Sequence, residues 1–332
     1  MVKILLAADF EINRTGILST ASSLLENFSI KYKVYSSQPI IGIESIELTN
    51  EELSNYRFEL IFTHLEYSNL SHLINQNPKA FFHVGDWPLN YWKSLFRLKP
   101  LKSIFGYIRT TFRLKPISRD TKLIFVSKED FTSALNYGFS KSIHLPIGVK
   151  ASNLDLNKTI DWKKYCFTGN FDYEPNYVAA IELVNFFQTV TTDVSLIIAG
   201  FNANKVKIST KNNPKINFLT DLPSIVDFLT SNRPIYISPI TIGAGSKNKI
   251  LEALVSGCPV LCTRESLDQS IEKDEHIFII QRIEEIHTFQ KNIQIPKIKN
   301  HIVQASERTR SKLIKERDWK SLAMRLEELL KS

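Results

Sequence analysis

The feature that most constrains this 332-residue chain is an alternation. Short, almost wholly apolar runs recur, separated by segments with apolar residues at helical spacing. The first run covers residues 2–8 and ends at Asp9; residues 15–28 then place Ile17, Leu18, Ala21, Leu24, Leu25 and Phe28 on one helical face. Similar runs lie at 59–63, 79–84, 122–126 and 142–145, with helical patterns at 68–74 and 128–136. A strand with no polar face is buried on both sides, and parallel neighbours need a crossover connection, usually a helix. The alternation therefore predicts an α/β fold with a parallel sheet covered on both faces.

After Pro146-Ile147-Gly148-Val149 comes an aperiodic polar stretch, 150–158, and beyond it the pattern starts again. Strands are predicted at 165–168, 194–199, 216–219, 234–238, 259–262 and 276–280, and helices at 176–187, 223–229 and 247–255. Two Rossmann-like, doubly wound domains follow, 1–149 and 150–310. The run 308–330 carries Trp319, Leu322, Ala323, Leu326, Leu329 and Leu330 on one side, so that 311–332 is expected to form a C-terminal helix packing across both domains.

Hydrophobic residues make up 43% of the chain, enough to bury a core in each domain, which excludes disordered and fibrous classes. Lys and Arg number 42 against 34 Asp and Glu, a net charge of +8. Segment 93–122 alone holds nine bases and one acid, so the excess is one local basic zone. Three cysteines with no Cys-x-x-Cys spacing argue against disulfides and zinc and for a reducing compartment. The opening apolar run is too short for a signal-peptide core or a membrane span, and the expected location is cytoplasmic.

In open parallel sheets ligands sit beyond the carboxyl ends of the strands, where backbone N–H groups and helix N-termini lack partners. Glycines at such places are informative in a chain with only 11 of them. They are Gly16 after the first strand, Gly85 in His83-Val84-Gly85-Asp86, Gly169 in Thr168-Gly169-Asn170, Gly200 after 194–199, and the pair in Gly243-Ala244-Gly245-Ser246. Two glycines directly after a strand let amides turn inward, Ser246 is placed to cap the next helix, and that helix N-terminus favours a phosphate. Lys247 and Lys249 add mobile positive charge. Glu252, about one and a half turns into the helix, is placed for a ribose hydroxyl pair. A plain glycine turn before a surface helix accounts for the same residues. A dinucleotide-binding fingerprint is disfavoured, because no third glycine follows at the required spacing.

At these residues the sequence resembles the retaining glycosyltransferases of family 4. The resemblance is carried by Phe167-Thr-Gly-Asn170, Pro175-Asn176, Ile197-Ile-Ala-Gly200, the run Gly243-x-Gly245-x-x-x-Lys249-x-x-Glu252-Ala253, and Gly257-x-Pro259-Val260. Phe125-Val-Ser127-Lys-Glu-Asp130 and Leu145-Pro-Ile-Gly148-Val149 extend it into the first half. It implies the GT-B fold, two tandem domains with a cleft between them, a nucleotide-sugar donor and neither cofactor nor metal. It also implies a glycan or lipid-linked glycan acceptor, of the kind used in bacterial surface polysaccharide assembly. The implied donor-binding set is Gly16, Gly169, Asn170, Gly200, Gly243, Ala244, Gly245, Ser246, Lys247, Lys249 and Glu252. Two departures stand out. The first of the family's two glutamates falls on Ala244, and the Arg and Lys that often follow the Gly169 position are missing from 170–176, so Lys247 and Lys249 are left to neutralise the diphosphate. The base of the donor is expected to meet backbone near 218–222.

Glycosyl transfer passes through an oxocarbenium-like state, which calls for a stabilised leaving diphosphate and an oriented acceptor hydroxyl. His83 is the match for the family's histidine facing the sugar at a strand end; a satisfied structural histidine reads the same. Asp86 is the expected acceptor base or sugar-hydroxyl partner, with the cap of a helix starting near Pro88 as its alternative. His64 is a weaker candidate.

Within the basic zone, Leu101, Ile104, Phe105, Ile108 and Phe112 share one helical face beside Lys102, Arg109 and Arg113, and the tract Phe-Arg-Leu-Lys-Pro occurs at both 96–100 and 112–116. Either the apolar face packs on the first domain while the bases are solvated, or the helix meets an anionic membrane surface or an anionic acceptor. No nucleic-acid-binding motif accompanies the charge. The expected activity is thus a cytoplasmic, peripheral glycosyltransferase. The alternatives are a non-catalytic binding or partner subunit of the same fold and a nucleotide-sugar epimerase.

Overall fold

A computed structural model of the chain describes residues 1–7, 16–37, 40, 42–65, 70–96, 99–152, 159–208, 213–241, 247–271 and 273–331. The chain divides into two units, Met1–Gly148 with Arg317–Ser332, and Val149–Gly243 with Lys247–Glu316.

The first unit is built on a seven-stranded sheet in the order β3-β2-β1-β4-β5-β6-β7, with every described pair parallel. Its elements run β1 (Val2–Leu6), α1 (Gly16–Leu25), β2 (Tyr32–Ser36), β3 (Ile46–Glu47), α2 (Asn50–Leu53), β4 (Leu60–Phe62), α3 (Leu70–Gln76), β5 (Phe81–Gly85), α4 (Pro88–Leu95), α5 (Pro100–Leu114), β6 (Lys122–Phe125), α6 (Lys128–Asn136) and β7 (Ile143–His144). The central strands β4 and β5 are buried at every position, His83 of β5 included. The sequence reading missed β2 and β3. In Tyr32-Lys33-Val34-Tyr35 a lysine interrupts the apolar residues, so the segment lacks the continuous run that marks the inner strands, yet it pairs with β1 from Val2↔Tyr32 to Leu6↔Ser36.

The second unit carries a six-stranded parallel sheet in the order β10-β9-β8-β11-β12-β13. Its elements are β8 (Asp161–Thr168), α7 (Glu174–Thr189), β9 (Ser195–Ala199), α8 (Ala203–Ile208), β10 (Ile216–Leu219), α9 (Ile225–Asn232), β11 (Pro234–Ser238), α10 (Asn248–Val255), β12 (Val260–Cys262), β13 (Ile277–Ile279), α11 (Ile286–Asn292) and α12 (Pro296–Glu316). The expected helix at 223–229 begins later, because the Ser224 hydroxyl accepts the Asp227 N–H and makes Ser224 the cap. All three cysteines are free and buried.

The helical run expected from residue 308 onward is two helices. α12 packs on α10, where Arg310 Nε donates to the Val255 carbonyl at 2.9 Å. The chain then breaks, Asp318 accepts the Ser321 N–H, and α13 (Trp319–Lys331) starts anew within the first unit. Leu322, Ala323 and Leu326 enter the core formed by Ile17, Leu18 and Ala21 of α1. Gly148 lies so close to the Trp319 indole that a Cβ there would collide with it.

Glu327 fastens α13 in place. Its carboxylate accepts the Ser29 N–H, the Ser29 hydroxyl at 2.6 Å and the Ile30 N–H at 3.2 Å. Burial opposes ionisation, but these bonds outweigh it and hold the carboxyl below its usual value. A depressed carboxyl stabilises the fold above the ordinary carboxylate range and loses that contribution as pH falls through the folded value. Glu327→Ala is therefore expected to cost about 2 kcal/mol at neutral pH. Melting curves of variant and parent should converge on acidification; a constant gap would mean that the ionised form contributes nothing.

Candidate functional site

In the second unit the strand order reverses between β8 and β11. At such a switch point neighbouring crossovers leave opposite faces of the sheet and open a crevice beyond the strand ends. The residues that gather there come from three segments. Gly169 and Asn170 follow β8, Gly200 follows β9, and the first turns of α10 supply Lys249 and Glu252.

Gly169 donates its N–H to the Ala199 carbonyl at 3.0 Å, and Gly200 donates to the Leu219 carbonyl at 2.9 Å, so the ends of β8, β9 and β10 are tied together. Gly200 has φ +128°, and a Cβ on it would collide with the Gly169 carbonyl oxygen. Glycine is required there on both counts. Asn176, buried in the first turn of α7, donates from Nδ2 to the Asn170 carbonyl at 2.7 Å and accepts at Oδ1 from Lys249 Nζ at 2.7 Å. Lys249 thereby reaches the neighbourhood of Gly169, where the sequence itself has no base. The base that the fold brings there comes from α10.

Burial lowers the Lys249 pKa to about 8; Glu252 pulls it back up and Lys247 adds to the fall. Burial raises the Glu252 carboxyl to about 7, against the pull of Lys249. Beneath them the Thr168 and Tyr236 hydroxyls share a hydrogen bond of 2.9 Å. A partly desolvated ammonium beside a carboxyl poised near neutrality suits an anionic ligand that also carries hydroxyl groups. Cavities of about 620 and 690 Å³ in the same unit lie elsewhere, one beside Trp162 and Lys299, the other beside Arg282 and His287. Among the described residues no cluster of three or more His, Cys, Asp or Glu is placed to hold a metal.

Of the expected donor set, the structure brings together Gly169, Asn170, Gly200, Lys249 and Glu252. Gly243, Ala244, Gly245 and Ser246 lie outside the described residues. The expected cap at Ser246 is displaced: α10 starts at Asn248, and Lys247 is its N-cap residue, whose carbonyl accepts the Ile250 and Leu251 N–H groups. Gly16 opens α1 in the other unit. Asn176 was not singled out for a role of its own; its signal was the Pro175-Asn176 pair at the start of a helix following a glycine-ended strand.

In the first unit His83 differs from the expected strand-end histidine facing a ligand. It sits inside β5, 1% exposed, beside Phe62, because the strand continues to Gly85. Burial lowers its pKa to about 4, and neither ring nitrogen has a hydrogen-bond partner among the described residues. Asp86 is exposed just past β5, one residue before Trp87, which occupies the N-cap position of α4 and makes no side-chain cap bond. Its charge acts on Asp130 of α6, a buried carboxyl that accepts from Asn90 at 2.7 Å and is raised to about 7 by burial and then by Asp86.

Residues 163–294 match the family described as Glycosyl transferases group 1. Among solved structures the chain is similar to HepE of Anabaena in complex with UDP and glucose, with a TM-score of 0.68 at 10% identity over 100% of both chains. It is similar to sucrose-phosphate synthase of Thermosynechococcus elongatus, with a TM-score of 0.69 at 11% identity over 100% of this chain and 98% of that one. It is also similar to WaaG, a glycosyltransferase involved in lipopolysaccharide biosynthesis, with a TM-score of 0.62 at 12% identity over 98% and 99% of the two chains. No curated protein matches the sequence. Residues 163–294 are therefore similar to the glycosyl transferases group 1 family, and the chain has the two-sheet α/β fold of GT-B glycosyltransferases.

Proposed function

We propose that the chain is a retaining, metal-independent glycosyltransferase of family 4 that moves a sugar from a nucleotide diphosphate to a glycan or lipid-linked glycan of surface polysaccharide assembly. The observation that carries the reading is the Lys249–Asn176–Asn170 chain of hydrogen bonds beside Gly169 and Gly200, with Glu252 one turn further along α10. In this reading the diphosphate lies against the glycine-ended strands and the α10 N-terminus, with Lys249 and Lys247 as its counter-charges and Glu252 on the ribose hydroxyls. As the sugar–oxygen bond to the diphosphate breaks, negative charge grows on the leaving oxygen and these groups hold it more strongly than in the ground state. The acceptor hydroxyl adds to the same face of the sugar and passes its proton to the departing diphosphate oxygen. Asp86, exposed just past the end of β5, is the acceptor-side residue, with the enclosed His83 behind it in the strand. HepE, solved with UDP and with UDP-glucose, and WaaG, involved in lipopolysaccharide biosynthesis, lend support by their shared fold.

Thermal melting of the full chain with UDP, GDP, ADP, TDP and CMP tests the donor site. One diphosphate is expected to raise the melting point selectively, by the equivalent of about 3 kcal/mol at a hundredfold excess over its dissociation constant. Turnover with the matching nucleotide-sugar is expected to survive a chelator. No shift with any nucleotide would favour a non-catalytic binding subunit of the same fold.

A further inference from the structure

The basic amphipathic helix is packed the opposite way round from an ordinary surface helix. An amphipathic helix in a folded domain turns its apolar stripe to the core. In α5 the stripe faces water: Leu101 is 72% exposed, Phe105 71%, Phe112 63%, Ile108 47% and Ile104 43%. The face that packs consists of Ser103, Gly106, Thr110 and Leu114.

The cause is a dedicated contact with α4. Trp92 lies flat against Gly106, where a Cβ would sit 2.5 Å from its ring. Its Nε1 donates to Thr110 Oγ1 at 3.0 Å, and the Ser103 hydroxyl donates to its carbonyl. A small-residue face with hydroxyls matched to one indole fixes which side of α5 points inward. The apolar side is left outward by construction. Phe96, at the end of α4, is 51% exposed and extends the patch. Six of the fourteen exposed large hydrophobics among the described residues lie at 96–112, while the others are scattered.

The charge around the stripe has one sign. Lys102, Arg109 and Arg113 line one side of it and Lys115 the other, and α5 contains no acidic residue. The only acid in 93–122, Asp120, is paired with Lys141 at 3.0 Å. An aromatic and aliphatic stripe edged by bases matches the boundary between acyl chains and anionic headgroups. Two copies of this face would set like charges against each other, which disfavours self-association. Among the described residues no helix is long and apolar enough to cross a membrane.

We propose that α5 lies on an anionic lipid surface, its Leu101, Ile104, Phe105, Ile108 and Phe112 stripe entering the acyl boundary while its bases contact the headgroups. The full chain is incubated with vesicles of phosphatidylglycerol and phosphatidylcholine, or of phosphatidylcholine alone, and sedimented without any donor. The readout is therefore independent of the transfer reaction. Sedimentation with the anionic vesicles is expected, weakening as salt rises. Phe105→Ser with Ile108→Ser, and separately Lys102→Glu with Arg109→Glu, should each lower the partition at least about tenfold. The substituted side chains are exposed, so an unchanged melting temperature checks that the fold is intact. No sedimentation with anionic vesicles, or equal partition of both variants and parent, overturns the proposal. So does a dimer in size-exclusion chromatography that the Phe105→Ser, Ile108→Ser variant splits, since the stripe would then be an interface between copies.

Discussion

Lys249→Ala is expected to weaken binding of the matching nucleoside diphosphate by about 30-fold or more, the worth of one charge-assisted bond of about 2 kcal/mol or more in a partly desolvated site. The loss is larger than for a surface lysine because Lys249 lies against Gly169, its Cε 3.3 Å from where a Cβ there would sit, and because Asn176 Oδ1 loses its donor. Glu252→Ala should weaken binding about tenfold through the lost ribose contact. Titration calorimetry with the diphosphate measures both, and unchanged affinity in both would remove the donor site from α10.

Glu252→Gln separates binding from stability. A carboxyl raised from 4.5 to about 7 binds its proton more tightly in the folded chain than in the unfolded one. Stability therefore falls as pH rises from about 4.5 through about 7. The glutamine variant, with nothing to ionise, should melt higher than the parent at pH 8 and alike at pH 4. Its nucleotide affinity should nevertheless be lower at pH 8, where the parent carboxyl is ionised, and similar at pH 4, where it is not. The group that binds the ligand is thus expected to cost the empty fold stability, as site residues commonly do.

Gly200→Ala is expected to cost the second unit about 3–4 kcal/mol, a fall of roughly 10 °C in its melting point. Two costs add. The backbone angle, +128°, is strained for any residue with a Cβ, and that Cβ meets a carbonyl oxygen rather than a side chain that could rotate away. Gly42 separates the two terms, since it has φ +83° and nothing within 4 Å of its would-be Cβ. Gly42→Ala should cost about 1 kcal/mol, the conformational part alone. If the two variants melt alike, the close approach of β8 and β9 is not what holds Gly200.

The architecture was legible because its signal is local. The apolar runs at 59–63, 79–84, 122–126, 165–168, 194–199 and 234–238 announce inner strands wherever they occur, and helical spacing between them leaves little but parallel crossovers. Edges were harder: Lys33 interrupts the apolar residues of β2, because only part of an outer strand is buried. The glycines after β8 and β9 were legible for a similar reason, since each marks a backbone requirement of its own position.

Contacts between distant segments were not legible. Lys249 lies 73 residues beyond Asn176, and only the strand order that sets β11 beside β8 brings α10 to the end of that strand. His83 looks like a strand-end histidine in a list of residues, yet the length of β5 and the packing of Phe62 enclose it. α5 is the clearest division. Its periodicity determined that it is a helix with an apolar stripe and a basic flank. The fit of Trp92 onto Gly106 and Thr110 determined that the stripe faces outward, because which side of a helix is buried depends on the surface it meets.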